Sequence, residues 1–205
     1  MLKLKELKRN NKLIIKVDDS NISDIIKNTK KIIRFCDKNN LLLEVIYNDK
    51  KITKKDLKKD ISNDVRDIIT IMNAINLKDK YERYNYIYDT VCMYLDDKIN
   101  TNYCMFENDM CIRDRLKNNG HKNGCCECKG RGKCKYLIDG VCTMKSCMAC
   151  KLFTCHTLKI LGIVQNINDY VLTKYFFNEK EKDVLQFSYW TPKDIVMDKL
   201  MKVKK

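Results

Sequence analysis

Eleven of the twelve cysteines lie between Cys92 and Cys155, and five of the six glycines fall between Gly120 and Gly140. Packing does not account for that thiol density, because a free cysteine in a core is a small hydrophobe with no reason to gather in one turn-rich stretch. Metal does account for it. Thiolates brought together from separate turns close a tetrahedral site, and the binding energy orders a segment that has no core of its own.

The spacings favour convergence. Cys147-Met148-Ala149-Cys150 is a C-x2-C knuckle, which lets two sulfurs meet at one ion while backbone amides offset their charge. Cys126-Glu127-Cys128 is tighter still. Lys129-Gly130-Arg131-Gly132-Lys133 and Ile138-Asp139-Gly140-Val141 supply the turns between them. The cysteines 125, 126, 128, 134, 142, 147, 150 and 155 are enough for two four-cysteine zinc sites, with Cys104, Cys111, His121 and His156 as further candidates. Zinc is the expected metal. The alternative is an iron-sulfur cluster, since Cys142, Cys147 and Cys150 have the C-x4-C-x2-C spacing of plant-type [2Fe-2S] proteins. A fourth ligand to that cluster would come from Cys155 or from upstream.

Nothing in the sequence reads as a secretory signal or a membrane span: the longest apolar runs, such as Val91 to Leu95, are short and the first residues are studded with lysine. The expected address is the cytoplasm, where disulfides rarely persist and clustered cysteines bind metal or do redox chemistry. A net charge of +14 is spread along the chain rather than gathered in a tail. It favours association with nucleic acid or acidic surfaces.

Residues Lys12 to Val17 and Leu41 to Tyr47 read as strands, with Asn48-Asp49 as a turn into a short third strand from Lys50 to Thr53. Between the first two strands, Asp19, Ser20 and Asn21 offer cap chemistry to one helix whose stripe is Ile22, Ile25, Ile26, Thr29, Ile33 and Cys36. The result is a small β-α-β-β unit with a parallel strand pair. Thr53 caps a charged helical stretch. A helix follows with Val65, Ile68, Ile69, Met72 and Ile75 on one side, and then a Tyr-rich helix from Asp79 to about Lys98. Cys36 belongs to the core stripe, while Cys92 is open between core and ligand.

Beyond the cysteines, Leu152 to Val164 reads as helical and Ile167 to Phe177 as another apolar segment. A final helix has Thr191 as N-cap and Pro192 at its first position. The expected fold class is α+β: an N-terminal α+β region over residues 1–78, and a helical region over 79–205 holding the cysteine module at about 104–155.

Within that module the chain resembles the CxxCxxCC family of zinc- or iron-chelating bacterial proteins. The resemblance is carried by Gly124-Cys125-Cys126, Cys134-Lys135-Tyr136-Leu137, Gly140-Val141-Cys142 and Cys150-Lys151-Leu152-Phe153. It implies Cys125, Cys126, Cys134, Cys142 and Cys150 as ligands, with Cys147 and Cys155 as additions of this chain. The family's two leading cysteines would fall at Asn119 and Lys122, and Cys104 and Cys111 are the available replacements.

Lys129, Arg131, Lys133 and Lys135 alternate with glycines and Cys134 through the turn, the arrangement of a nucleic-acid-binding zinc knuckle, and equally of cations balancing adjacent thiolates. Enzyme motifs are missing: there is no H-E-x-x-H, P-loop or dinucleotide-binding glycine pattern, and only two histidines. The sequence therefore points to a zinc-thiolate binding protein with a platform for nucleic acid or a protein partner, ahead of an iron-sulfur protein for electron transfer or redox sensing.

Overall fold

The computed structural model describes residues 8–57, 61–99, 106–107, 110–111, 137–138, 141–142, 147–154 and 156–204. These residues are α+β, with a four-stranded mixed sheet and mostly short helices. The chain divides into two units, Met1–Tyr88 with Asn168–Lys182, and Asp89–Ile167 with Asp183–Lys205.

The first unit is built on a sheet of order β1-β2-β3-β4, formed by Lys8–Arg9, Lys12–Val17, Leu42–Tyr47 and Lys50–Lys51. β2 and β3 are parallel, with Leu13 opposite Leu43 and Ile15 opposite Val45, as the strand-helix-strand order predicts. Each outer strand is antiparallel to its neighbour through a tight turn. Asn10 and Asn11 (φ 43° and 57°) make one turn, and Asn48 and Asp49 (φ 46° and 60°) make the other. Short amide and carboxylate side chains tolerate this left-handed backbone, whose twist matches the strands it joins. β1 and its Asn-Asn turn were not foreseen from the sequence.

The single helix expected between β2 and β3 is two, α1 (Ile22–Lys27) and α2 (Thr29–Lys38). Polar side chains at the junction end the first. The Asn28 side chain donates to Asp24 O at 2.8 Å and Thr29 Oγ1 donates to Ile26 O at 2.6 Å, which occupies carbonyls of the last turn. Restarting at Thr29 shifts the buried stripe from Ile33 to Ile32, and Cys36 remains in it, fully buried. The thiol of Cys36 is pushed up to about 11, chiefly by burial.

Thr53 caps one turn of 3-10 helix, Lys54–Asp56, with a reciprocal capping box to Asp56. α3 (Asn63–Asn76) starts at Ser62, whose hydroxyl accepts from Val65 N, and buries Ile68, Ile69, Met72 and Ile75. At its far end the Asn76 amide binds the β3 backbone twice, accepting from Leu43 N at 2.7 Å and donating to Leu43 O at 2.9 Å. That pair of bonds ties the helix to the strand. α4 (Lys80–Ile99) belongs to the first unit as far as Tyr88 and to the second thereafter.

The first unit is completed from Asn168 onward, within the 3-10 turn Ile167–Asp169, by α7 (Val171–Phe176) and by the start of α8 (Glu179–Phe187). α8 was not foreseen. Its N-terminus is a capping box in which Glu181 N donates to Asn178 Oδ1 and Asn178 N donates to Glu181 Oε2, both at 2.9 Å. Glu181 is 2% exposed and also accepts from Tyr84 Oη at 2.7 Å, with Lys80 Nζ at 3.7 Å.

In the second unit, residues 89–99 of α4 bury Val91, Cys92 and Leu95. Two minimal hairpins follow, β5 (Phe106–Glu107) with β6 (Met110–Cys111), and β7 (Leu137–Ile138) with β8 (Val141–Cys142). Two short helices replace the continuous one expected over Leu152 to Val164. They are α5 (Met148–Leu152) and α6 (His156–Ile160). The last helix, α9 (Lys193–Lys202), starts one residue later than expected: Pro192 is its N-cap and no side chain caps it, so Thr191 does not fill that role. α9 buries Val196, Met197 and Leu200. No helix among the described residues is long and apolar enough to cross a membrane.

Candidate metal centre

Cys147 is the residue on which α5 begins. Its backbone is extended (φ −102°, ψ 99°), its carbonyl accepts from Lys151 N at 3.1 Å, and its side chain is completely buried. Cys150, on the first turn of α5, is half-buried. The pair lies against the turn formed by Ser188 to Thr191. Trp190 N–H donates to Cys150 Sγ at 3.5 Å, and the Cys147 thiol lies 3.5 Å from Ser188 O. Trp190 reaches this position with φ at 55°, a backbone region that a bulky residue rarely occupies.

This surrounding favours sulfur as thiolate. The acidity of Cys147 is strengthened, its pKa brought down to about 6, first by hydrogen bonding from Cys150 and then, against burial, by the backbone amides of Cys150, Thr191 and Trp190. In the protonated form Cys147 donates to Ser188 O instead, so that carbonyl and the amides compete for opposite states of the sulfur. The Cys150 side chain and the amides together prevail because several donors converge on one atom. Tyr189 lies beside the pair, and its phenol is raised by burial and then by Cys150 and Cys147. The Tyr189 ring stands between Phe153 (6.4 Å, edge-on) and Trp190 (5.6 Å) and walls the knuckle with apolar surface.

Cys92 does not share this environment. It is buried on α4 and its thiol is pushed up to about 12, mainly by burial, even though Lys151 opposes the shift. Lys151 is held by an ion pair with Asp96, one turn beyond Cys92. Cys92 is thereby placed in the core of α4, in surroundings that favour the neutral thiol.

Two thiols in amide-rich, apolar surroundings fit half of a thiolate metal site, the soft donor set that zinc or iron-sulfur clusters use. Among the described residues no three His, Cys, Asp or Glu side chains gather as a metal-holding group. Of the other expected ligands, Cys111 lies on β6 and Cys142 on β8, and only their backbone is described. Cys104, Cys125, Cys126, Cys128, Cys134 and Cys155 lie outside the described residues, as do His121 and the basic residues Lys129, Arg131, Lys133 and Lys135.

Sequence reasoning missed the contribution of Ser188 to Thr191. Its role is played by backbone amides, which leave no residue-type signature, and of this segment the sequence reading used only Thr191 and Pro192, as the start of the last helix. Compared with known protein families, curated proteins and solved structures, the chain matches none.

Proposed function

We propose that this protein binds zinc through thiolates and that the metal orders the cysteine-rich segment into a platform for a partner. The observation that carries the reading is the Cys147–Cys150 knuckle: a fully buried sulfur with its pKa lowered to about 6, and a second sulfur accepting a backbone N–H at 3.5 Å. Burial alone drives a thiol the other way, as it does at Cys36 and Cys92. A thiolate at Cys147 is a donor that a metal cation can take up, and the nearby ammonium of Lys151 is already paired with Asp96.

The remaining ligands of the knuckle come from the other cysteines between Cys104 and Cys155, consistent with the likeness to CxxCxxCC-type chelating proteins. Nucleic acid is the partner class best matched to a net charge of +14 and to the Lys/Arg-Gly turn.

Metal analysis of protein purified without oxygen tests the metal. Colourless protein with stoichiometric zinc is the expected result. A brown protein carrying iron and inorganic sulfide would replace zinc with an iron-sulfur cluster, and metal-free, fully structured protein would discard the reading. For the partner, affinity for an oligonucleotide should fall steeply with added salt.

A further inference from the structure

Among the described residues, the buried side chains of β2 and β3 all lie on one face of the first unit's sheet. Along β2, Leu13, Ile15 and Val17 are buried, and Leu43 and Val45 are buried along β3, whereas none of the alternate residues is buried. Since successive side chains in a strand point to opposite faces, those alternates form the other surface of the sheet.

Register fixes what that surface contains. Lys12 is opposite Leu42, Ile14 opposite Glu44 and Lys16 opposite Ile46. Ile14 therefore has Leu42 and Ile46 as its diagonal neighbours, and the three make an aliphatic centre in which Leu42 is 41% exposed. Cations surround it. Arg9 shares the face through its pairing with Lys12, and Lys51 through its pairing with Ile46. The one carboxylate, Glu44, accepts from Lys51 Nζ at 2.7 Å and from Lys12 Nζ at 3.1 Å. Lys16 is 77% exposed on its side chain and stands 3.9 Å from Asp49 in the turn after β3, an ion pair that contributes little. Four cations thus face one carboxylate around three aliphatic side chains.

Charge and chemistry narrow the occupant. A second copy would bring the same excess of cations against itself, and the face, about 15–20 Å on each side from strand spacing and rise, is well below the ~800 Å² per partner of a standard interface. Residues 1–7 of the chain carry Lys3 and Lys5 against a single Glu6, so their charge has the wrong sign. Nucleic acid would satisfy the cations but not the centre, which has no aromatic ring to stack on a base and would be pressed dry against phosphate or sugar. A helix carrying an aliphatic stripe flanked by Asp and Glu satisfies both, and a helix laid on the open face of a sheet is a standard layer arrangement.

We propose that the open face of β2 and β3 is a docking surface for an amphipathic acidic helix of another protein, with Ile14, Leu42 and Ile46 taking its aliphatic stripe and Lys12, Lys16 and Lys51 its carboxylates. The small area makes this a transient contact. It is independent of the metal and of the nucleic-acid reading, which concern other residues.

The test is an amide NMR titration of the full-length holoprotein with a synthetic helical peptide bearing leucines at i, i+3, i+4 and i+7 and glutamates on both flanks. A second peptide has lysine in place of every glutamate, and a mixed-sequence single-stranded DNA oligonucleotide serves as a third probe. Expected are shifts confined to β2, β3 and their turns with the glutamate peptide, no binding of the lysine peptide, and at least tenfold weaker binding in Leu42→Asp and in Lys16→Glu. Both substituted positions are exposed, and unchanged amide spectra elsewhere confirm that each variant is folded. Absence of shifts, shifts on other elements, equal binding of the lysine peptide, or tighter binding of the oligonucleotide to these strands would overturn the proposal.

Discussion

Asp67 sits half-buried on α3, three residues after Asp64, and its carboxyl pKa is raised from 3.8 to about 6. Burial is the main cause and the Asp64 charge adds to it, while Arg66 opposes. The folded protein therefore holds a proton on Asp67 over a range in which the unfolded chain has released it, so stability must fall as pH rises between about 4 and 6. Below that window the carboxyl is neutral in both states and carries no penalty, and above it the charged form bears the full penalty. A shift of about two units corresponds to roughly 3 kcal/mol, a ceiling that partial solvent contact lowers to between about 1 and 3.

Asp67→Asn keeps the shape of the protonated acid and removes the charge. It should leave stability unchanged near pH 4 and raise it by about 1–3 kcal/mol near pH 8. Urea unfolding followed through α3 amides is the appropriate assay, because those amides report on the helix that carries Asp67. Equal destabilisation at both pH values, or no gain at the higher one, would refute the reasoning.

Three further outcomes follow from the geometry. Tyr84→Phe removes the hydroxyl that donates to the buried Glu181 carboxylate at 2.7 Å, and it should cost about 1.5–3 kcal/mol in denaturant unfolding; a cost below about 0.5 kcal/mol would mean that water replaces the hydroxyl. Asn76→Ala severs both bonds to Leu43 and should destabilise by about 1–3 kcal/mol, with faster amide exchange at Leu43 as its local signature. In native protein at neutral pH, Cys36 and Cys92 should resist iodoacetamide, since thiols pushed up to about 11 and 12 and buried supply almost no thiolate. Mass spectrometry before and after denaturation reads this directly, and rapid native labelling at either residue would contradict their placement in the core.

Much of the first unit is legible in the chain because its signals are local. Two-residue alternation marks β2 and β3, Asn48-Asp49 carries its own turn, and the apolar spacing of α3 is long enough to be unambiguous. Where the reading failed, a local signal was masked by a competing one. The stripe from Ile22 to Cys36 continues through Asn28, so hydropathy alone joins two helices that side-chain hydrogen bonds to carbonyls separate. The charged start of α8, Glu179-Lys180-Glu181-Lys182, hid a helix that Asn178 and Glu181 announce as a capping box. The burial of Glu181 was equally hidden, because its hydrogen-bond partner, Tyr84, is distant in sequence.

At the candidate metal centre the sequence singles out Cys147 and Cys150 as a pair but not their setting. Spacing says that two sulfurs can converge. It says nothing of the Trp190 amide, which comes from a segment forty residues away and is indifferent to residue type. Spacing was also neutral on Cys92, whose burial on α4 depends on contacts that spacing does not show.

Zinc-edge X-ray absorption of protein purified without oxygen, compared between the natural chain and Cys147→Ser, addresses the central claim most directly. The account predicts a first shell dominated by sulfur at about 2.3 Å in the natural chain, and loss of zinc or replacement of sulfur by a lighter atom in the variant. A shell of nitrogen and oxygen at about 2.0–2.1 Å, or a spectrum unchanged by the substitution, would contradict it.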